Sequence, residues 1–167
     1  NIGVVLQDSF LFSDTILNNI RFGNEKASKK EIQKVCEIAG IHKEILKFKD
    51  QYNTMLGERG VNLSGGQKQR VCIARALVKK PKILILDDCL SALDTETEEK
   101  IIKSLNDYIK DTTTIISSHR ISSIQNLDKI IVLKDGKIIQ KGSHEELINE
   151  NGYYKQLYFK QLTEKED

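Results

Sequence analysis

The amino-acid sequence predicts an α/β fold in which a mostly helical region precedes the main sheet-forming part. After Pro81, strand patterns alternate with helix patterns, as is typical of an α/β sheet. Between Gln7 and Ala76, capping signals and helical periodicity dominate. The chain has 167 residues, which is enough to bury one sizeable core, so we expect one domain.

The first part of the chain is predicted to contain one strand and a series of helices. An apolar strand pattern covers residues 2–6, and a polar, glycine-containing loop covers residues 54–60. N-cap residues and capping boxes predict the helix starts, while glycine and proline predict the ends. By these signals the helices are one capped by Ser13 or Asp14 that runs through Ile20, one with a capping box of Ser28 and Glu31 that ends at Gly40, a short one at about 43–48, and a buried one from Ser64 to about Lys79.

The part after Pro81 is predicted to alternate between strands and helices. Asp135 and Gly136 form the strongest short signal for a β-hairpin, because both residues favour the backbone of a tight turn. The predicted elements are strands at 83–87 and 113–117, a helix from the Thr95 and Glu98 capping box to about Lys110, a short helical stretch, hairpin strands at 129–133 and 137–140, a helix from the Ser143 and Glu146 capping box, and a last helix at 153–161.

Composition excludes several classes of function. The formal net charge is +2, so there is no electrostatic case for nucleic acid as a partner. The apolar runs are short and strand-like, and none reaches the roughly 20 residues that a membrane-spanning helix needs. The three cysteines, Cys36, Cys72 and Cys89, lack metal-ligand spacing, so we expect reduced, partly buried thiols in a cytosolic protein.

The segment from Leu63 to Gln67 carries the clearest chemical signal. Ser64 is a good N-cap, and Gln67 three residues later completes a capping box. Two glycines at a helix start are poor helix formers, but they remove Cβ atoms and let an anion approach the N–H groups and the helix dipole. Phosphate is the expected anion. A glycine-containing cap without a ligand is the alternative for an isolated motif of this kind.

Titratable side chains follow two predicted strands. Asp87 and Asp88 end the strand at 83–87, and His119 follows the strand at 113–117. Ligand sites in open α/β sheets lie at the carboxyl ends of strands, and a carboxylate beside a phosphate site suits Mg²⁺. Two solvated turn acids and a structural histidine are the alternatives.

The order of these motifs resembles that in the nucleotide-binding domains of ATP-binding cassette (ABC) transporters. The matching positions are Gln7, Leu63–Gln67, Asp87-Asp88, Ser91–Asp94 and His119. The resemblance covers nearly the whole chain and implies a partial P-loop (RecA-like) ABC ATPase domain over residues 1–167. It implies a helical subdomain at 8–76, which includes the signature and the loop before it, and a RecA-like part at 77–162.

The resemblance also implies roles for these residues. Two sites are implied: one for ATP and Mg²⁺ held by this chain, and one for ATP held by a partner chain. At this chain's own site, Gln7 is implied to contact Mg²⁺ and the attacking water, Asp87 to bind Mg²⁺, Asp88 to act in catalysis and His119 to contact the γ-phosphate. Ser64, Gly65, Gly66 and Gln67 are implied to bind the ATP of the partner chain. Ser91 and Asp94 belong to a loop that is implied to cross the dimer interface.

Two further segments resemble parts of ABC exporters that contact the transmembrane domains. The loop containing Gly57, Glu58 and Arg59 is similar to the one that precedes the signature in exporters. Phe10 and Phe12 lie in a segment similar to the aromatic one that receives a coupling helix. Plain core packing is the alternative for the two phenylalanines.

The sequence departs from the family pattern in two ways. It contains no G-x-x-x-x-G-K-[ST], the loop that cradles nucleotide phosphates, so we expect this chain alone not to bind ATP tightly. In the family that loop precedes the Gln7 position, which favours a fragment that begins at Asn1. The second departure is Asp88, which stands where the family usually has Glu.

Asp88 bears on the catalytic role. Its carboxylate is withdrawn by about 1.5 Å relative to Glu, and a misplacement of about 1 Å can lower a rate roughly 100-fold. In the family, Asp at this position is typical of the weak site in heterodimeric exporters. The alternative is that Asp88 still works through an extra water.

The resulting hypothesis is an ATPase subunit that powers export of a substrate across a membrane. One expected partner is a second nucleotide-binding domain, either a copy of this chain or, as Asp88 favours, a different chain. The other is a set of transmembrane domains that tether the protein to the cytoplasmic face of the membrane. The alternatives are a non-transport ABC ATPase and a non-catalytic dimerisation module. Balanced charge and the short stretch between Gln7 and Leu63 count against the first alternative.

Overall fold

The computed structural model describes residues 1–164 and divides the chain into two compact units. The first unit is Asn1–Ser117, and the second begins at Ser118. The predicted subdomain boundary between residues 76 and 77 falls within a helix of the first unit, and that division stays a prediction. The last three residues of the predicted domain lie outside the described residues.

A parallel three-stranded sheet organises the first unit. Its strands are β1 (Ile2–Val5), β2 (Ile83–Asp87) and β3 (Thr113–Ser117), in the order β1-β2-β3. Because the strands are parallel, their carboxyl ends lie at one edge. The register pairs Val5 with Leu86 and Asp87 with Ser117 at that edge. The predicted α/β class is confirmed.

Five α-helices accompany this sheet in the first unit. They are α1 (Ile16–Arg21), α2 (Lys29–Ile38), α3 (His42–Ile45), α4 (Gly65–Val78) and α5 (Thr95–Tyr108). The predicted all-round burial of α4 is confirmed, and the helix packs against α1, α2 and β1. Side chains such as Val71, Ile73 and Leu77 are almost completely buried, so burial of α4 supplies much of the apolar core.

In the first unit, the capping predictions are confirmed at two helices and wrong at two others. Ser28 and Ser64 cap α2 and α4 with complete capping boxes. Helix α1 begins after Thr15, whose hydroxyl accepts from the Asn18 N–H at 3.1 Å. The predicted cap Asp14 instead accepts from the Thr15 N–H at 2.6 Å, which leaves Thr15 as the last extended residue.

Helix α5 begins after Asp94 and not after Thr95. The Asp94 carboxylate accepts from the Thr97 N–H at 2.9 Å, and this bond lowers the pKa of Asp94. An aspartate at the N-cap also interacts favourably with the helix dipole, which explains its preference over Thr95. Helix α3 is shorter than the predicted 43–48 helix.

The second unit is built from a hairpin and two helices. Strands β4 (Ile130–Lys134) and β5 (Lys137–Gly142) pair antiparallel, and Asp135 and Gly136 adopt φ angles of 49° and 73° in the turn. The predicted hairpin is therefore confirmed, since two positive φ angles are what a type I′ turn requires. The elements after the hairpin are α6 (His144–Asn149), with a capping box of Ser143 and Glu146, and α7 (Tyr153–Thr163).

A small apolar cluster holds the second unit together. It consists of Ile121, Ile130, Leu147 and Tyr154. The helical stretch predicted before β4 is a single 3₁₀ turn, Ile121–Ser123. Among the described residues, no helix has both the length and the apolar character required to span a bilayer.

One ion pair makes the first unit sensitive to acid. Lys80 Nζ lies 2.6 Å from Glu31 Oε1, and Ser28 donates to the other carboxylate oxygen. The hydrogen bond from Lys80, then those from Ser28, lower the pKa of Glu31 from 4.5 to about 2. This stabilisation is fully present above pH 4.5 and is lost as the pH falls through about 2.

We therefore expect Lys80→Met to raise the pKa of Glu31 towards 4.5. A carboxyl ¹³C NMR titration measures that pKa directly, and urea unfolding at several pH values measures the accompanying loss of acid stability. Lys82→Met removes a neighbouring exposed lysine and is the control. An unchanged Glu31 pKa in Lys80→Met contradicts the assignment.

Candidate functional site

The predicted signature segment, residues 63–67, forms the start of α4. Ser64 Oγ accepts from the Gln67 N–H at 3.2 Å, and the Ser64 N–H donates to Gln67 Oε1 at 2.9 Å. Ser64 and Gly65 are exposed. The N–H groups of Gly65 and Gly66 belong to the first helical turn and have no intrahelical acceptor, so they present donors at the positive end of the helix.

The two signature glycines have different surroundings. A Cβ at Gly66 would lie 2.8 Å from Leu93 Cδ2 and 3.2 Å from the Ala92 carbonyl oxygen. A Cβ at Gly65 would meet only Ala92 Cβ, at 3.7 Å, which is an ordinary contact. Packing within the chain therefore accounts for glycine at position 66 but not at position 65.

An open cleft joins the signature segment to residues 92–94. Its volume is about 390 Å³. The lining residues come from α3, α4, α5 and the segment before α5: Glu44, Ser64, Gly65, Gly66, Arg70, Ala92, Leu93, Asp94 and Thr97. The structure thus brings together two motifs, the signature and the Ser91–Asp94 segment, that are about 25 residues apart in the sequence.

Sequence reasoning missed Glu44, which lies on α3 beside the signature. Its carboxylate accepts from Gln67 Nε2 at 2.8 Å and from Arg70 Nη1 at 2.5 Å. Partial burial alone would raise the pKa of Glu44, but the hydrogen bonds from Arg70 and Gln67 outweigh it and lower the pKa. No local pattern in the sequence pointed to this contact.

Three predicted site residues lie at the carboxyl edge of the sheet. Gln7 follows β1 and is exposed, Asp87 ends β2 and is exposed, and Asp88 is half-buried. Asp88 has a φ of 44°, its N–H donates to the Ser117 carbonyl at 2.9 Å, and its own carbonyl accepts from Ser91 Oγ at 2.9 Å. Aspartate tolerates this left-handed backbone better than most residues do.

The donor set at this edge fits Mg²⁺. Magnesium in nucleotide sites is held by one or two carboxylates, by phosphates and by water, and not by an all-protein cage. Asp87 and Gln7 supply one carboxylate and one amide oxygen there. Residues 1–164 contain no cluster of three or more His, Cys, Asp or Glu side chains that would suggest another metal.

His119 belongs to the second unit. Its side chain is exposed, and its carbonyl oxygen accepts from Gln161 Nε2 at 2.7 Å. The role that the resemblance implies for His119 stays a prediction.

Phe10 and Phe12 form an exposed aromatic surface with Phe22. The three residues are 50%, 38% and 68% exposed, and neighbouring ring centroids lie 5.2 and 4.7 Å apart. Arg75 of α4 donates to the Phe10 carbonyl at 2.8 Å and places its guanidinium 5.9 Å from the Phe12 centroid. This exposure argues against the core-packing alternative for Phe10 and Phe12.

A buried asparagine that the sequence reasoning missed holds the backbone of this surface. Asn19 is 1% exposed; it accepts from the Phe12 N–H at 2.8 Å and donates to the Phe12 and Thr15 carbonyls at 3.0 Å each. The available signal was a polar residue on the same helix face as Ile16 and Ile20. Buried polar groups need hydrogen-bond partners, so a polar residue on a buried helix face indicates that a nearby segment hydrogen-bonds to it.

The loop at 54–60 pairs with the aromatic segment. Thr15 and Met55 form an antiparallel bridge, and the Leu56 N–H donates to the Asp14 carbonyl at 3.0 Å. Gly57 precedes a 3₁₀ turn in which Glu58 and Arg59 are exposed. The structure therefore places side by side the two segments that resemble the transmembrane contacts of exporters.

One of the three cysteines, Cys72, contacts the aromatic segment, since its Sγ donates to the Phe10 carbonyl at 3.5 Å. Cys36, Cys72 and Cys89 are free, as the sequence predicted, and are buried more fully than expected. Burial raises the pKa of Cys36 and of Cys89 to about 12 and also raises the pKa of Cys72, so the thiols are protonated near neutral pH.

Comparison with known proteins agrees with the resemblance. The profile of the family described as "ABC transporter" matches residues 1–91. The chain is 54% identical to the multidrug resistance-like ATP-binding protein MdlA of Buchnera aphidicola over 99% of its length and 29% of the relative's. It is 50% identical to ATP-binding cassette sub-family B member 6 of Xenopus tropicalis, over 98% of the chain and 19% of the relative.

A solved structure is similar as well. It is described as a bacterial Atm1-family ABC exporter with ATP bound, and it matches with a TM-score of 0.92 and 44% sequence identity. The match covers 96% of this chain and 28% of that one. The chain therefore spans less than a third of the length of each of these proteins.

The different surroundings of the two glycines predict different effects on stability. Gly66→Ala is expected to destabilise the chain by about 1–3 kcal/mol, because the new methyl group overpacks against residues 92 and 93. Gly65→Ala is expected to be neutral or to stabilise by up to about 1 kcal/mol, since alanine restricts the unfolded chain more than glycine does. Urea unfolding measures both, and equal effects contradict the assignment.

Proposed function

Because the chain belongs to the ABC transporter family, we propose that it is the ATP-hydrolysing domain that powers export of a substrate across a membrane. The observation that carries this proposal is the capped start of α4. Ser64 and Gly65 are exposed there, and the N–H donors of the first turn open onto the cleft shared with residues 92–94. Donors at a helix N-terminus favour phosphate.

The ligand at this helix start is the γ-phosphate of ATP held by a second nucleotide-binding domain. The packing of the two glycines supports this, because position 65 has room that its own chain does not use. Ser64 Oγ accepts from the Gln67 N–H and still carries a proton that it can donate to phosphate. Gln67 contributes through the cap, since both ends of its carboxamide are engaged within the chain.

The nucleotide of this chain's own site lies at the carboxyl edge of the sheet. Asp87 and Gln7 would hold Mg²⁺ there, and Asp88 would position the attacking water. For His119, in the second unit, the resemblance implies a contact with the γ-phosphate. Mg²⁺, when bound, neutralises the charge that develops on the phosphates. Because the Asp88 carboxylate is one methylene short of the usual Glu, this site is the weaker one of a heterodimer.

The partner on the membrane side is a pair of transmembrane domains that dock through coupling helices. The exposed rings of Phe10 and Phe12 supply an apolar contact, and Gly57, Glu58 and Arg59 supply an adjoining polar edge. Their location on two hydrogen-bonded segments supports a single docking surface. This surface favours a transporter, on the cytoplasmic face of the membrane, over a non-transport ABC ATPase or a non-catalytic dimerisation module.

The signature assignment is tested with the complete transporter assembled with its partner. Gly65→Leu in this chain is expected to lower steady-state ATP hydrolysis by at least tenfold, because the side chain blocks the phosphate approach. Its Cβ makes only an ordinary contact, 3.7 Å from Ala92 Cβ. Lys103→Ala on the exposed face of α5 is the control and is expected to keep full activity. Wild-type hydrolysis that survives Gly65→Leu would falsify the assignment.

Replacing Asp88 tests the weak-site assignment. Asp88→Glu is expected to raise turnover at this chain's own site, measured in a complex whose partner carries an intact signature and an inactivated catalytic carboxylate. The gain is limited by the positive φ of 44°, which glutamate tolerates less well than aspartate. Unchanged turnover, with the folded state confirmed by thermal unfolding, counts against a degenerate site.

A further inference from the structure

A hydrogen-bonded network connects the start of α4 to α3. Gln67 uses its Oε1 to accept from the Ser64 N–H, which leaves its Nε2 to donate to Glu44. Arg70 Nη1 donates to Glu44 and to the Gly40 carbonyl, and its Nε donates to the Gly66 carbonyl. One carboxylate on α3 therefore accepts from two consecutive turns of the signature helix.

We propose that Glu44 is a positioning residue for the signature segment. Its carboxylate fixes the orientation of the Gln67 carboxamide, and that orientation decides which atom meets the Ser64 N–H. With Nε2 held by Glu44, only Oε1 can face Ser64 and complete the cap. The geometry of Ser64 and of the first-turn N–H groups then depends on a residue that does not touch the phosphate. This inference rests on the proposed function.

The charge of Glu44 is balanced within the same network. Arg70 is only 8% exposed, and Glu44 supplies its counter-charge. Removing one partner of such a pair leaves the other charge partly buried and uncompensated. The pair also matters for the cleft, because Glu44 lines the cleft that receives an anion, and Arg70 offsets its negative charge.

The network predicts that a double substitution restores hydrogen bonds that each single substitution breaks. Gln67 and Arg70 donate to different oxygens of the Glu44 carboxylate. In Glu44→Gln, one of these oxygens is replaced by an amide NH₂ group, which faces a donor. In Gln67→Glu, two carboxylates face each other. In the double variant, the amide at position 44 donates to the carboxylate at position 67, whose other oxygen accepts from Ser64. That arrangement is a capping box with glutamate at its third position.

The experiment uses the complete transporter with its partner and measures kcat and KM for ATP. Glu44→Gln is expected to lower kcat about tenfold and to change KM less, because a group displaced by about 1 Å can lower a rate roughly 100-fold. Gln67→Glu is expected to lower kcat at least as much. The double variant is expected to recover most of the lost kcat.

Glu37→Gln is the matched control, since it removes an exposed carboxylate at the end of α2 without touching α4. Its kcat is expected to equal that of the wild type. Wild-type kcat in Glu44→Gln, or a double variant no better than the worse single one, overturns the positioning role. Absence of ATP hydrolysis in the wild-type complex overturns the proposed function instead.

Discussion

The first unit depends on the burial of α4. The body of this helix is apolar nearly all round and lies against α1, α2 and β1, so its direction and depth are set by core packing. Its first residues cannot be buried in the same way, because the N–H groups of a helix start need partners. The result is a rigid helix whose polar start reaches the surface at a defined place, beside residues 92–94.

Two buried polar side chains connect the core to exposed segments and hold those segments in place. Arg70 is buried on α4 and bonds to Glu44 and to the Gly40 carbonyl, which ties the signature to α3. Asn19 is buried on α1 and bonds to the backbone of the aromatic segment, which in turn pairs with Met55. Because buried polar groups need hydrogen-bond partners, Arg70 and Asn19 bond to the exposed segments beside them and fix the conformation of those segments.

Much of the fold could be predicted because its signals are local. The capping boxes at Ser28, Ser64 and Ser143 and the Asp135-Gly136 turn each lie within a few residues, and all four were found in the structure. The errors at Thr15 and Asp94 arose where two neighbouring residues could both cap a helix. In such a case the backbone conformation decides, and that conformation depends on bonds such as those of Asp14.

The sequence by itself determined the family and the α/β class, because motif order, periodicity and capping depend on residues close together in the chain. It also located the predicted signature segment, residues 63–67, and the carboxylates at the end of β2. Only the tertiary structure distinguished the surroundings of Gly65 from those of Gly66 and showed that Phe10 and Phe12 are solvent-exposed. It also revealed the contact between Glu44 and Gln67. These features depend on contacts between segments that are distant in sequence, and such contacts exist only once the core around α4 has packed.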